Sequence, residues 1–319
     1  MEIGKALQFV RGAVARKNYD VTLTHFRIAN GSIQSYNGII SLSSPIDIGL
    51  SVYPKAAPFA KAIQSCDESV ALHVTATGRL AIRSGAFRAY IDCLPAEEFP
   101  DVVPEGEILS LEGTDFLSAL KVVEPFIGED ASRPWARGVL FRGNYLFVTN
   151  NIVLIQHWLP ASFPVEVNVP QEAISELVRI GEQPERVQVS DSTVTFFYKD
   201  GRWLRSRLYA TSWPDTERVL DRECAPTPLP AGFFDALDTL SPFTEKLNAV
   251  YFSRGTAKTS VLEDEGASVE IDVGADCAFN CDHLRSLRSV VQTIDLTQYP
   301  APCIFYGKEL RGAIVGLRL

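Results

Sequence analysis

The chain has 319 residues, of which 46% are apolar and 22% charged, enough to bury a large core and to form two or three domains. This composition excludes a disordered chain, and no apolar run approaches the ~18 residues that a membrane-spanning helix needs. The net charge of −9 disfavours nucleic acid as a partner at first sight, but the first third, 1–105, is neutral and the excess acid lies beyond it.

Six cysteines are scattered along the chain, at positions 66, 93, 224, 277, 281 and 303. In a chain of this length without a secretory signal, such spacing predicts reduced thiols and not a disulfide framework. The first residues lack the basic-then-apolar order of a signal peptide. We therefore expect a cytoplasmic protein.

Amphipathic helical spacing appears in six short segments, two in each third of the chain. In chain order they are Ile3/Leu7/Val10/Val14, Phe59/Ile63, Phe116/Leu120/Val123, Ile174/Leu177/Val178, Phe233/Leu237/Leu240 and Leu284/Leu287/Val291. Between them the apolar residues alternate, as in 70–76, 80–83, 194–198 and 204–209, with hairpin signals such as Asn30-Gly31 and Asp200-Gly201. The pattern predicts an α+β protein with antiparallel sheets.

An internal repeat divides the chain into three. Pro54 and Pro170 open two similar stretches 116 residues apart, and Pro100 and Pro214 close them 114 residues apart. Linker-like segments lie near residue 105 and at 223–230. We predict three tandem domains, at 1–105, 106–222 and 223–319.

Local motifs in a fixed order carry a resemblance to a known family. They are Leu94-Pro-Ala-Glu-Glu-Phe-Pro-Asp, Gly138-Val-Leu-Phe, Leu146-Phe-Val-Thr-Asn-Asn-Ile-Val-Leu, Val169-Pro-Gln-Glu-Ala-Ile-Ser-Glu-Leu, Trp213-Pro-Asp-Thr-Glu-Arg-Val and the final Leu317-Arg-Leu. Together they resemble the bacterial-type DNA polymerase sliding clamp, the beta subunit of DNA polymerase III, mainly across residues 50–222.

The sequence departs from that family in three ways. The helical pattern begins almost at residue 3, where the family opens with a strand; Asn151-Ile-Val-Leu replaces the family's Gly-His-Arg-Leu; and the final third is short. Such divergence is compatible with a phage-encoded or specialised member.

The resemblance implies a non-catalytic ring that encircles double-stranded DNA without reading its sequence, with the helices lining the pore. Two head-to-tail chains would complete the ring as a homodimer in which the first third meets the final third. Basic residues on or beside the helical segments are the expected DNA contacts: Lys5, Arg11, Arg16, Lys17, Lys55, Lys61, Arg179, Arg285 and Arg288.

The resemblance also implies a groove that accepts short linear peptides from a DNA polymerase and a clamp loader. The matching positions are Ala136, Thr149, Asn151, Ile152, Val153, Leu154, Pro214, Val219, Leu247, Val315 and Leu317. Most are apolar, as a peptide pocket requires.

No nucleotide-binding loop, dinucleotide fingerprint or hydrolase motif occurs in the sequence, so we expect no cofactor and no catalysis. Cys277, Cys281 and His283 lie close together, but their spacing is not a standard zinc pattern, and we predict no metal site. Two alternatives stay open: a clamp-fold scaffold that binds peptides without encircling DNA, and a cytosolic enzyme whose site is assembled from distant residues.

Overall fold

A computed structural model describes residues 2–15, 20–67, 69–95, 100, 102–209, 212–262 and 265–318. Its contacts divide the chain into two compact units, Met1–Leu117 with Val169–Ala210 and Ser118–Asn168 with Thr211–Leu319. We call them unit 1 and unit 2.

The described chain contains α-helices, short 3₁₀ helices and strands. The α-helices are α1 Ile3–Val10, α2 Ala56–Gln64, α3 Leu117–Val123, α4 Gln171–Ile180, α5 Glu217–Leu220, α6 Phe233–Leu240 and α7 Cys281–Ser286. The 3₁₀ helices are Arg11–Ala13, Val21–Thr24, Glu124–Phe126, Pro134–Ala136, Ser241–Phe243, Lys246–Asn248, Leu287–Ser289 and Leu296–Gln298. The strands are β1 Arg27–Ala29, β2 Ser32–Tyr36, β3 Ile40–Pro45, β4 Ala71–Val74, β5 Leu80–Ser84, β6 Phe87–Ile91, β7 Glu107–Ser110, β8 Gly138–Arg142, β9 Tyr145–Thr149, β10 Val153–Trp158, β11 Val167–Pro170, β12 Arg186–Val189, β13 Thr193–Phe197, β14 Trp203–Arg207, β15 Thr227–Pro228, β16 Ala249–Ser253, β17 Thr256–Lys258, β18 Ser268–Glu270, β19 Cys277–Asn280, β20 Thr293–Ile294, β21 Cys303–Gly307 and β22 Leu310–Ile314.

Unit 1 contains a seven-stranded sheet in the order β1-β2-β3-β14-β13-β12-β7 and a three-stranded sheet β4-β5-β6. The larger sheet is continuous because β3 pairs antiparallel with β14, with Leu42 opposite Leu204. Helix α1 packs on this sheet through Ala6, Leu7, Phe9 and Val10, which are buried at helical spacing.

Unit 2 contains most of an eight-stranded sheet in the order β11-β8-β9-β10-β22-β21-β20-β15 and a four-stranded sheet β18-β17-β16-β19. Here β10 pairs antiparallel with β22, which places Leu154 opposite Ala313. Helices α6 and α7 contact each other and bury Phe233, Leu237 and Leu284.

Local sequence explains the boundaries of these elements. Helix α4 ends where Gly181 adopts a left-handed backbone (φ 70°), which lets its N–H reach the Leu177 carbonyl. The β1–β2 hairpin turns at Asn30 and Gly31, both with positive φ, as a tight hairpin turn requires.

The α+β class with antiparallel sheets is confirmed. Each of the six helical patterns overlaps a helix, although Val14, Phe116 and Val291 lie outside the helix bounds, and the alternating segments form β4, β5, β13 and β14. The three-domain division stays a prediction.

Candidate nucleic-acid interface and peptide groove

The basic residues of α1 and α2 in unit 1 are largely exposed. The Lys5 side chain is 75% exposed and lies 3.5 Å from the equally solvated Glu2 carboxylate, a surface pair worth little energy. Arg11, just after α1, is also exposed. Arg16 and Lys17 lie outside the described residues.

Helix α2 and its N-cap carry two of the predicted DNA contacts. Lys55 is its N-cap residue and Lys61 lies in its last turn; both side chains are exposed. The helix itself, Ala-Ala-Pro-Phe-Ala-Lys-Ala-Ile-Gln, contains no acid. Both lysines can therefore approach a phosphate backbone without a competing carboxylate on the same helix.

Arg179 on α4 is engaged within unit 1. Its Nη1 and Nη2 donate to the Gln8 and Phe9 carbonyls at 3.1 and 2.7 Å, and Nη2 lies 2.6 Å from the Glu176 carboxylate. Carbonyls in the last turn of a helix lack intrahelical partners, and a cation there is favourable. Arg179 thus satisfies the end of α1, and its side chain is only 28% exposed.

The arginines after α6 in unit 2 are compensated by acids. Asp238 of α6 accepts hydrogen bonds from Arg285 Nε at 2.8 Å and from Arg288 Nη2 at 2.6 Å. Arg285 also lies 3.3 Å from Asp282, and the Arg288 guanidinium stacks over the Phe234 ring. These bonds hold the pKa of the Asp238 carboxyl below its usual value.

The groove prediction centres on a small apolar cluster in unit 2. Leu154, Leu220, Ile304 and Ala313 are its buried floor, and Val219, Cys224 and Tyr306 pack against it as partly buried residues. The register places Leu154 of β10 beside Ala313 of β22, and Ala313 beside Ile304 of β21. Of these, Leu154 and Val219 were expected.

Sequence reasoning missed the other members of this cluster. The apolar alternation of β21 and the position of Leu220 beside Val219 were the available signals. Burial, together with the nearby Cys224 thiol, raises the pKa of the Tyr306 hydroxyl.

Backbone pairing brings further predicted groove residues together. The Val315 N–H donates to the Ile152 carbonyl at 2.9 Å, and the Leu317 N–H donates to the Ala278 carbonyl at 2.8 Å. Val315 is 37% exposed and Ile152 and Leu317 are half-buried. The final strand and the segment after it therefore line one apolar surface beside β10 and β19.

Leu247 is the most exposed of the predicted groove residues. Its side chain is 72% exposed, and its backbone is left-handed (φ 68°), which is strained for a leucine. The Asn280 side chain donates to its carbonyl at 2.7 Å and helps to hold this conformation. Strain that keeps an apolar side chain in water is typical of a binding site.

The remaining predicted groove residues differ in how deeply their side chains are buried. Ala136 and Val153 are fully buried and Thr149 nearly so, so they support the surface from beneath. The Thr149 hydroxyl donates to the Val153 carbonyl at 2.7 Å and accepts the Asn151 N–H at 2.9 Å. Asn151 is half-buried, and Pro214 is exposed next to Trp213, whose ring meets that of Trp135 edge to face.

Around Cys277 and Cys281, as in the rest of the described chain, no three His, Cys, Asp or Glu side chains cluster as metal ligands. Burial raises the pKa of the Cys277 thiol to about 12, and the Cys281 thiol donates to the Leu237 carbonyl at 3.6 Å. Within the described residues, no helix has the length and apolar character needed to cross a membrane.

The paired helices, the antiparallel sheets continuous through β3–β14 and β10–β22, and their order along the chain define the fold of the bacterial sliding clamps. The chain superposes on the Caulobacter crescentus pol III beta structure with a TM-score of 0.84 (19% identity, 99% of this chain and 98% of that one). The Bacillus subtilis DNA polymerase sliding clamp gives 0.83 (17% identity, 99% and 97%), and the Helicobacter pylori beta clamp bound to a DNA ligase peptide gives 0.79 (15% identity, 99% and 98%).

A curated relative carries a similar sequence. The beta sliding clamp of Salmonella typhimurium is 28% identical over 205 residues, which cover 57% of this chain and 53% of the relative. The matched region thus spans about half the length of that relative, and no family model matches the chain. The resemblance to the bacterial-type clamp is confirmed by both comparisons.

Proposed function

We propose that this protein is a DNA sliding clamp, a processivity factor that encircles duplex DNA and tethers a replicative polymerase. The observation that carries the proposal is the sliding-clamp fold over 99% of the chain, combined with an acid-free α2 that carries Lys61 and has Lys55 as its N-cap residue. Positioning through phosphate contacts alone gives binding without sequence preference, which a mobile clamp needs. On this proposal the protein acts in the cytoplasm and has no catalytic activity.

The proposed ring is a head-to-tail homodimer, and the free sheet edges support it. Among the described strands, β6 borders the three-stranded sheet of unit 1 and β18 borders the four-stranded sheet of unit 2. Arg83 and Arg88 lie directly opposite each other on β5 and β6, a destabilising like-charge pair unless a partner compensates it. The chain carries Glu270 at the end of β18 and Glu265 and Asp272 on either side of it. Pairing β6 of one chain with β18 of the other would join complementary charges and close both edges.

The proposed partner site is the apolar surface around Leu154, Val219, Val315 and Leu247. Its partly buried and exposed apolar side chains suit a short linear peptide from a polymerase or a clamp loader. The DNA ligase peptide seen on the Helicobacter pylori clamp is a suitable probe. Because the half-buried Ile152 replaces a polar residue of the family motif at this surface, we expect the groove to favour more apolar peptides than its relatives do.

Retention on DNA circles tests encirclement. The protein is loaded with its cognate loader onto nicked circular duplex, and the bound fraction is measured by gel filtration before and after the circle is linearised. A clamp stays on circles and slides off linear DNA, whereas equal retention on both forms contradicts encirclement. A Lys55→Gln/Lys61→Gln double variant should be retained less well, while Lys199→Gln, in an exposed turn after β13, is the matched control.

One observation favours the scaffold alternative, in which the protein binds peptides without encircling DNA. The arginine pair expected in the pore is compensated by Asp238 and Asp282. A scaffold predicts normal probe binding and a monomer in sedimentation at micromolar concentration. A clamp predicts a dimer under the same conditions.

A further inference from the structure

Helix α1 covers one face of the seven-stranded sheet in unit 1, and polar side chains line the other face. The Ser35 hydroxyl of β2 donates to the Val10 carbonyl of α1, which marks the covered face. Side chains alternate between the two faces along a strand, so Tyr36 lies on the opposite face. The register continues this row through Ser41 of β3 to Arg205 of β14, each directly across from the last.

Two arginines lie next to each other on this second face of the sheet. Arg205 and Arg207 are two residues apart on β14, which places their Cα atoms about 7 Å apart and both side chains on one face. Thr195 and Thr193 of β13 lie directly opposite them. Two cations and two hydroxyls therefore share a small area of a chain whose net charge is −9.

The segment 102–105 lies over this face and forms one wall of a pocket. The Glu105 carboxylate accepts a hydrogen bond from Arg205 Nη2 at 2.8 Å. Gly106, with a positive φ of 102°, then passes so close to the Val189 carbonyl that a Cβ would lie 1.9 Å from its oxygen. Only glycine therefore fits at this turn into β7. The pocket has a volume of about 590 Å³, within the ~300–1,000 Å³ of small-molecule sites.

The acid in the pocket compensates only part of its positive charge. Of the lining residues that the structure describes, Glu105 alone carries a carboxylate, against Arg205 and Arg207. It bonds to one nitrogen of Arg205, although a guanidinium can hold an oxyanion through two. In the described structure, the buried Arg205 Nε and the buried Thr195 hydroxyl have no hydrogen-bond partner. Because buried polar groups are normally hydrogen-bonded, this row is short of acceptors.

Arg207 is the more available of the two cations. It is exposed, and the hydrogen-bond partner of its guanidinium is the Tyr36 hydroxyl, 3.1 Å from Nη2. That hydroxyl donates in turn to the Gly38 carbonyl at 3.0 Å, so it meets Arg207 as a neutral acceptor. The ion pairs of the described residues do not include Arg207. Its charge is therefore free for an anion from solution.

Apolar side chains form the rest of the pocket wall. Val102 and Leu208 are half-buried, and Val103 is 54% exposed. An apolar group placed against them would remove this surface from water. The lining therefore suits a molecule that has an anionic group at one end and an apolar body at the other, and it suits a bare inorganic ion less well.

We propose that this pocket binds a small organic anion, whose carboxylate or phosphate lies between Arg205 and Arg207 and whose apolar part contacts Val103 and Leu208. Arginine pairs with both kinds of oxyanion through two parallel hydrogen bonds. Glu105 competes with the ligand for Arg205, and its half-exposed side chain can move aside. The site belongs to unit 1, whereas the proposed peptide groove belongs to unit 2, and it does not depend on DNA encirclement.

Titration of the full-length protein, followed by its amide NMR spectrum, tests the proposal. The probes are benzoate and phenyl phosphate at millimolar concentration. Benzamide is the neutral control, and inorganic phosphate is the anion without an apolar part. At least one organic anion should shift the Thr193 and Leu208 amides, and both controls should bind about tenfold more weakly. The organic anion that binds more tightly shows whether the natural ligand carries a carboxylate or a phosphate.

Three variants distinguish this pocket from binding elsewhere. Arg207→Gln should weaken binding of the tighter anion at least about tenfold, because a charged hydrogen-bond donor is lost. Arg186→Gln changes an exposed arginine on β12 that does not line the pocket, and it should leave the affinity unchanged. Glu105→Gln should strengthen binding several-fold, because it removes the competing carboxylate. A variant that merely damages the fold cannot produce this gain.

The proposal is overturned if neither organic anion shifts these amides, or if benzamide or inorganic phosphate binds as tightly as they do. Wild-type affinity in Arg207→Gln, with an unchanged midpoint of unfolding, overturns it as well. If Arg207→Gln is unstable, Glu105→Gln decides, since an affinity equal to or below that of the wild type contradicts the site.

Discussion

Arg288 donates a hydrogen bond of 2.6 Å to the Asp238 carboxylate, and the same carboxylate accepts from Arg285 at 2.8 Å. One acid thus holds both arginines that the sequence assigned to the DNA-facing side of the final third. All three side chains are between one third and one half exposed, so the pairs are screened by solvent and contribute little to stability. The ion pairs matter for electrostatics, because the Asp238 carboxylate offsets positive charge that would otherwise be available to a DNA backbone.

Asp238→Asn should therefore strengthen binding to DNA. Removing one negative charge frees two guanidinium groups, and each additional phosphate contact steepens the dependence of log K on log salt by ~0.9. We expect the slope to steepen by about 1 to 2, measured as retention on circular duplex over a salt series. Asp235→Asn, on the same helix but without a contact to Arg285, is the control. An unchanged slope in Asp238→Asn would show that α6 and α7 do not face DNA.

Leu247→Gly should affect stability and peptide binding in opposite directions. Glycine adopts the left-handed backbone at φ 68° without strain, so the free energy of unfolding should hold or rise by about 0.5 to 1 kcal/mol. The exposed apolar side chain is lost, so binding of the ligase peptide probe should weaken several-fold, as measured by fluorescence anisotropy.

Arg254→Gly provides the matched control for Leu247→Gly. Arg254 also has a positive φ, of 51°, but it lies in the turn between β16 and β17. This variant should gain similar stability without losing peptide affinity. If Leu247→Gly binds the probe as the wild type does, Leu247 is not part of the groove.

The spacing of apolar residues predicted the helices and strands of this fold, because such elements are specified by local sequence. The spacing of Phe233, Leu237 and Leu240 predicts α6, and the hairpin signal at Asp200-Gly201 predicts the turn between β13 and β14. The order of the strands within the sheets is contained in no local pattern and was not predicted.

Charge compensation could not be predicted from the sequence, since it depends on residues far apart in the chain. Arg179 was expected to contact DNA, on a helix that also carries Glu172 and Glu176, but it bonds to the carbonyls of Gln8 and Phe9, some 170 residues earlier. Arg288 meets Asp238 across 50 residues. The burial of individual side chains could not be predicted from motifs either. Ala136 and Val153 match groove positions, yet the packing of the sheet leaves neither side chain exposed.

Arg179→Gln should lower stability more than it lowers retention on DNA. The guanidinium satisfies two carbonyls at the end of α1, and losing hydrogen bonds to a charged group costs about 1 to 3 kcal/mol. The midpoint of thermal or denaturant unfolding measures this loss. Lys61→Gln, an exposed change on α2, should show the reverse pattern, with an unchanged midpoint and weaker retention. If both variants lower retention on DNA equally, Arg179 contacts DNA as Lys61 does.

His157 should make the protein less stable in mild acid. Burial lowers the pKa of this imidazole below its ordinary value of 6.5, although the Trp158 carbonyl, 2.7 Å from Nδ1, and the charge of Glu309 oppose the shift. Below that value the unfolded chain binds a proton that the folded chain resists. Stability is therefore full above pH 6.5 and declines as the pH falls toward and through the folded pKa.

Denaturant unfolding at a series of pH values between about 5 and 7.5 measures this contribution. His157→Gln should reduce the loss of stability over that range, because glutamine carries no titrating charge into the sheet. His283, whose pKa burial also lowers, contributes in the same direction and should leave part of the slope in place. A His157→Gln slope equal to the wild type would mean that β10 accommodates the charged imidazole without cost.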